Sequence, residues 1–236
     1  IWSDQPEFMD SVAGIGITGV CGSGIIEILA ELYLAGVISQ DGVIDGSLSE
    51  RSPRIVADGR TFSYILHEGD VTLRITQNDV RAIQLAKAAL YAGARLLMDR
   101  MKVEQVDRIR LAGAFGSHID VKYAMVLGLI PDCELEHVTA AGNAAGTGAR
   151  IALLDRKARP EIEDLVRRVE KVETAVEARF QAHFVEAMAF PHKTAPYPNL
   201  AKVVTLPPNK TIIHASAASN ADARRGRRRS RRDAAD

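Results

Sequence analysis

The 236 residues are 47% hydrophobic and 25% charged, the balance of a folded domain with enough apolar material for a sizeable core. Apolar runs such as 14–20 and 25–30 fall far short of the ~20 residues a membrane-crossing helix needs. Thirty basic and thirty acidic residues cancel, but seven Arg and three Asp crowd into residues 222–236, so a tail of charge +4 follows a body of charge −4. The only cysteines, Cys21 and Cys133, make no C-x-x-C pair. That argues against a disulfide framework, a cysteine zinc site and a self-contained iron–sulfur cluster, and it suits a reducing cytoplasm.

Residues 1–13 carry no periodicity. Ile15-Gly-Ile-Thr-Gly-Val reads as a strand-like lead-in. Cys21-Gly-Ser-Gly then opens a helix with apolar residues at Ile25, Ile28, Leu29, Leu32 and Tyr33, and Gly36 supplies its stop. The polar stretch 37–60 reads as a surface excursion. Phe62–Leu66 and Val71–Ile75 alternate about His67-Glu-Gly-Asp, the pattern of a hairpin. Thr76, with Asp79 three residues on, is placed to cap a long amphipathic helix through Met101. Val106–Leu111 reads as a buried strand running into Ala112-Gly-Ala-Phe-Gly-Ser, and Asp120 as the cap of a helix to Gly128. Residues 140–149, rich in Ala and Gly, flow into a helix through Leu154 whose small face permits close packing. A helix from Pro160 to Val169, a strand at Lys171–Val176 and a last helix at Ala178–Met188 follow. Five prolines between 191 and 208 predict an extended strap, and the Ala, Ser, Asp and Arg composition beyond His214 predicts disorder.

The glycine clusters carry the chemistry. A strand, a glycine turn and a helix, as in Ile109 to Ser117, let backbone amides approach a nucleotide because no β-carbon intervenes and the helix end is positive; a tight structural corner is the alternative. Gly19-Val-Cys-Gly-Ser-Gly is a second such loop. Cys21 has no basic neighbour in sequence and reads as a packed thiol rather than a nucleophile, and Ser23 as a phosphate donor or a cap. Gly142–Gly148 lacks the Lys of a P-loop, which excludes a Walker-type ATPase. Asn143 reads as a cap, His118 as a loop residue, and the arginines at 224–232, without interleaved aromatics, as a solvating tail with weak polyanion affinity and no specific nucleic-acid partner.

Five segments in order, Ile17-Thr-Gly-Val-Cys-Gly-Ser-Gly-Ile-Ile-Glu, Ile75-Thr-Gln-Asn-Asp-Val through Leu90, Leu111-Ala-Gly-Ala-Phe-Gly-Ser, Gly128-Leu-Ile-Pro and Gly142 to Arg150, resemble the C-terminal part of the reductive activators of corrinoid proteins. That family is related to the acetate and sugar kinases, heat-shock chaperones and actin. The resemblance implies an α/β fold, the second lobe of a ribonuclease-H-like ATPase domain, covering residues 1–205 and followed by the Arg-rich tail 206–236. It implies an ATP/Mg site in which Gly113, Ala114, Phe115 and Gly116 form the adenosine motif, Cys21, Gly22, Ser23 and Gly24 form a loop over the nucleotide, and Ala144–Ala149 form a pivot helix. The phosphate-binding aspartate loops and the [2Fe–2S] cysteines of full-length members are missing here, so the sequence is expected to start partway through the ATP-binding domain, after its phosphate-binding strands. No residue is assigned a catalytic or metal-binding role, and the fragment alone is expected to be inactive. For the intact protein the resemblance implies ATP-dependent reduction of cob(II)alamin to cob(I)alamin on a corrinoid protein of a methyltransferase system, with no membrane role and a homodimer left open. A docking module with vestigial nucleotide binding is the alternative; a sugar-kinase-like phosphotransferase lacks a matching Asp.

Overall fold

A computed structural model describes residues 16–209 together with Glu7, Asp10 and Ile212; most of the first fifteen residues and all of the expected tail except 206–209 and Ile212 lie outside the described residues. Cys21 has an extended backbone and its thiol accepts the Gly24 amide, so it caps helix α1 (Gly22–Leu34), which buries Ile26, Leu29, Ala30, Leu32 and Tyr33. Gly36 ends it at φ +71°, a left-handed turn that glycine adopts without strain. The lead-in at 16–20 has no regular structure and no strand partner, against the expectation of a strand.

The stretch 37–60 is not a surface excursion. Ile38 and Ile44 form an isolated antiparallel bridge and each is 1% exposed. Polar residues between and after them bond their own backbone: Ser39 Oγ accepts the Val43 amide, and Asp45, which follows Ile44, accepts the Ser47 amide. The segment then supplies β1 (Ile55–Asp58), which pairs antiparallel with β2 (Thr61–His67), itself paired with β3 (Leu73–Ile75). The predicted hairpin is thus two strands of a three-stranded sheet.

Helix α2 (Gln77–Met101) begins with the anticipated capping box. It crosses the molecule with Val80, Gln84, Lys87, Ala88, Tyr91, Ala92, Leu96 and Met98 buried, so two of its eight buried side chains are polar. Strand β4 (Ile109–Ala112) lies parallel to β5 (Val138–Gly142), pairing Ile109 with Val138 and Ala112 with Gly142. Helix α3 (Val121–Leu127), capped by Asp120, lies between them in sequence and is buried over its last four residues. Then come α4 (Ala144–Leu154), α5 (Ala158–Arg168) and α6 (Phe180–Glu186). Lys171–Val176 is not a strand. It holds only a 3-10 turn at Thr174–Val176.

The core joins α1, α2, α3 and the three-stranded sheet. The proline-rich strap packs into it: Phe190 and Leu200 are fully buried and Tyr197 nearly so, so it is a structural element rather than a loose extension. By contrast α4 and α5 bury no residue, and Leu154 is 81% exposed. On the small face of α4, Gly148 is open, with nothing within 4 Å of a β-carbon built on it, while Gly146 lies against the Asn143 side chain that caps the helix.

Candidate nucleotide site

Two parallel strands end side by side at glycines. Gly113 follows β4 at φ +101°, and its amide donates to the carbonyl of Gly142, the last residue of β5, at 2.8 Å. Gly142 is itself at φ +62°. A β-carbon placed on either meets nothing within 4 Å, so both backbones are open to a ligand. Crevices at the carboxyl ends of parallel strands are where α/β folds bind ligands. Asn143, beside Gly142, caps α4 by accepting the Gly146 amide at 2.9 Å.

Gly116 works differently. A β-carbon there would lie 2.9 Å from Leu111 Cβ and 3.1 Å from the Leu111 backbone, so this glycine permits the turn to fold against its own strand. Ala114 precedes a 3-10 turn at Phe115–Ser117, and Ser117 Oγ donates to the Gly113 carbonyl at 3.1 Å, closing it. His118 follows as an exposed loop residue.

The second glycine loop meets the first. Gly22, the first residue of α1, lies against the Phe115 ring, so residues 21–24 and 113–116 share one surface. Gly24 is crowded by Val20 and Cys21. Cys21 corrects the sequence reading: the thiol is exposed rather than packed. Ser23 Oγ at 3.4 Å and the Gly24 amide at 3.4 Å hold it below the ordinary cysteine value. The cap of α1 is therefore Cys21 and not Ser23. Cys133 is buried, and burial raises its thiol. Glu31, one face further along α1, accepts the Tyr123 hydroxyl and ties α3 to this helix.

The eight sequence-selected residues thus lie together, but neither segment contains a carboxylate. Together they present open backbone and one exposed aromatic ring. Two cavities of about 330 Å³ lie elsewhere, one lined by Tyr33, Gln40 and Pro207 and one by Tyr91, Arg95 and Pro196.

Sequence reasoning missed the polar groups inside α2. Gln84 donates to the carbonyls of Asp41 and Met188 at 3.0 and 2.8 Å, and Lys87 donates to those of Ala189 and Pro191. On the same helix Asp99 accepts from His183 of α6 at 2.8 Å. A polar residue repeating on an otherwise apolar helix face was the available signal.

These features define an α/β domain whose two parallel strands end side by side at open glycines. Residues 3–201 match the family described as the C-terminal domain of RACo, the ASKHA domain, and the chain belongs to that family, with an α/β ASKHA-like fold. It is 37% identical over 180 residues to the corrinoid activation enzyme RamQ of Eubacterium limosum, covering 71% of this chain and 30% of RamQ. It also superimposes on a solved reductive activator for corrinoid, iron-sulfur protein with a TM-score of 0.68 and 34% identity, over 78% of this chain and 30% of that one. The chain therefore spans about a third of the length of these relatives. No described helix is long and apolar enough to cross a membrane.

Proposed function

We propose that this chain forms the nucleoside-binding side of an ATP/Mg site in a cytoplasmic protein that reactivates a corrinoid partner. The observation that carries this reading is the open junction of Gly113 and Gly142 at the ends of parallel strands, in a chain of the ASKHA family. Residues 1–205 make up the ATP-binding part, as the second lobe of a two-lobed domain, and residues 206–236 a separate basic tail.

The thinly covered side of the chain supports a larger whole. Strands β4 and β5 pack one face, with Ile109, Leu111 and Val138, on the core and leave the other, with Arg110, Ala112 and Thr139, exposed, whereas parallel sheets are ordinarily covered on both faces. Exposed Leu153, Leu154, Leu165 and Val166 extend that uncovered face over α4 and α5. The longer relatives have the chain length to cover it, and the phosphate-binding residues belong there.

In the whole protein, a [2Fe–2S] centre held outside these residues would supply the one electron needed to take cob(II)alamin on a methyltransferase corrinoid protein to cob(I)alamin, being itself oxidised. ATP at this site would contribute by favouring one lobe arrangement, which a ligand can do only by binding the two arrangements differently. The residues here contribute the backbone approach at Gly113 and Gly142 and the rigid helix starts beside them.

Gly113→Val, which puts a branched side chain into the open approach, tests the reading. Calorimetric titration with MgATP is expected to show at least tenfold weaker binding in the longer protein carrying this change, with corrinoid-protein binding retained. Unchanged ATP affinity with intact partner binding would instead establish the docking alternative.

A further inference from the structure

Helix α2 carries apolar residues on both sides. One side packs on the core. On the other, every exposed side chain between Arg81 and Arg100 is apolar: Ala82, Leu85, Ala86, Ala89, Leu90 and Leu97. The three leucines are 45%, 55% and 50% exposed. Arg95, the one charge that could break the run, is turned to Asp99 and to the Glu104 carbonyl. From Ala82 to Leu97 the stripe runs about 22 Å along the helix axis. A helix that is largely apolar all round is ordinarily enclosed, and a continuous exposed apolar strip marks a contact surface.

The stripe is complementary to itself. When a second α2 is laid antiparallel on the first, with Ala89 of each copy opposite Leu90 of the other, the same register sets Leu85 opposite Ala94 and Leu97 opposite Ala82. Each leucine then meets an alanine, and Ala86 meets Gly93, so the helices can approach closely. That register also brings the acidic first turn of each helix, at Asp79, alongside the basic last turn of the other, at Arg100, and it opposes the two helix dipoles. A parallel pairing would instead set leucine on leucine and like charge on like charge.

We propose that the outer face of α2 is a contact with a second copy of this chain, made by an antiparallel pair of α2 helices about a two-fold axis between Ala89 and Leu90. The surface is the same on both copies, so each substitution in it acts twice. The contact does not rest on the nucleotide reading.

Sedimentation equilibrium on the longer protein tests it. The unmodified protein is expected to be a dimer at micromolar concentration. Leu90→Ala only trims an exposed side chain to the best helix former, and it should weaken dimerisation about tenfold or more, because two truncations are made per dimer, with the circular-dichroism spectrum unchanged. Leu97→Glu should give monomers, and adding Ala82→Lys should restore the dimer, because these two positions face one another across the axis. If Leu97→Glu does not fold, Leu90→Ala alone carries the test. A monomeric unmodified protein overturns the proposal and assigns the stripe to other residues of the same longer chain. A dimer whose affinity Leu90→Ala leaves unchanged overturns it by placing the interface elsewhere. Dimerisation lost in Leu97→Glu and not recovered with Ala82→Lys overturns the antiparallel register.

Discussion

Lys87 Nζ donates to the carbonyl oxygen of Pro191 at 2.8 Å across a sequence separation of 104 residues. The amine also bonds the Ala189 carbonyl and lies 5.3 Å from the centre of the Phe190 ring. One buried cation of α2 therefore fastens the strap by its backbone. Among the described residues no carboxylate pairs with it, and burial pushes its pKa down to about 7. Beside it His192 is buried against the Tyr91 ring with Nδ1 accepting the Thr194 and Ala195 amides. Burial and the Lys87 charge push that imidazole down to about 4.

A pH dependence of stability follows with a definite sign. The unfolded lysine holds its proton to about 10.5 and the folded one only to about 7, so between these values the unfolded state binds more protons and stability rises with pH. The Lys87 contribution is at most about 1.4 kcal/mol per pH unit. Lys87→Met removes both the proton and the two donors. Urea denaturation of the chain at pH 7, 8 and 9 should show the wild type gaining on Lys87→Met by roughly that slope. Parallel curves would show that Lys87 does not titrate on unfolding.

Helix α2 offers a pair of opposite effects. Thr76 Oγ1 accepts the Asp79 amide at 3.2 Å while Asp79 Oδ2 accepts the Thr76 amide at 2.8 Å. Thr76→Ala breaks the first bond and should cost about 0.5–2 kcal/mol. Gly93 lies in the same helix with nothing within 4 Å of a β-carbon built on it, so Gly93→Ala should stabilise by about 0.5–1 kcal/mol. Thermal melts of the two variants should move in opposite directions.

What could be read beforehand divides along physical lines. The capping box, the Asp120 cap with Gly128 and the glycine turn at 113 are local devices whose residues sit within a few positions of one another, and each is where the sequence places it. The strap was legible as extended but not as buried, because its fastenings, Lys87 and Gln84, are a hundred residues away. Strand β1 was hidden for the same reason: Ile55 to Asp58 has little alternation of its own and gains its form from pairing with β2. The expected packing of Cys21 failed because α1 needed a cap at that position. At the site, spacing could identify the glycines but could not separate Gly113, which is open, from Gly116, which is filled by Leu111.

Asp99 should couple α6 to α2. It lies within 3.0 Å of Arg179, 2.9 Å of Arg95 and 2.8 Å of His183. Burial alone would raise its carboxyl, but the His183 and Arg95 hydrogen bonds outweigh burial and hold it below the usual carboxylate value. A depressed carboxylate contributes stability above its unfolded pKa of about 3.8 and loses it as pH falls through the folded value. Asp99→Asn keeps the shape and removes the charge. It should lower stability at neutral pH by about 1–3 kcal/mol and raise hydrogen exchange in residues 180–186 before the rest of the chain. Uniform exchange throughout would assign Asp99 to global rather than local stability.

Gly128 is the position where the backbone tolerates least. It ends α3 at φ +74°, with its amide bonded to Met125 O at 3.0 Å, a conformation costing an L-residue about 1–2 kcal/mol. A β-carbon there would also lie 1.9 Å from the Pro191 carbonyl oxygen, the same oxygen that Lys87 holds. Either the strap moves and breaks the Lys87 bond or α3 loses its last turn. Gly128→Ala should therefore destabilise by more than about 3 kcal/mol, beyond the ordinary effect of a point change. Its cost should overlap with that of Lys87→Met, because both act on one carbonyl. A double-mutant cycle with Lys87→Met reads this as a coupling of about 0.5–3 kcal/mol. Simple additivity in that cycle would show that Gly128 serves only the turn of α3 and that the strap yields without involving Lys87.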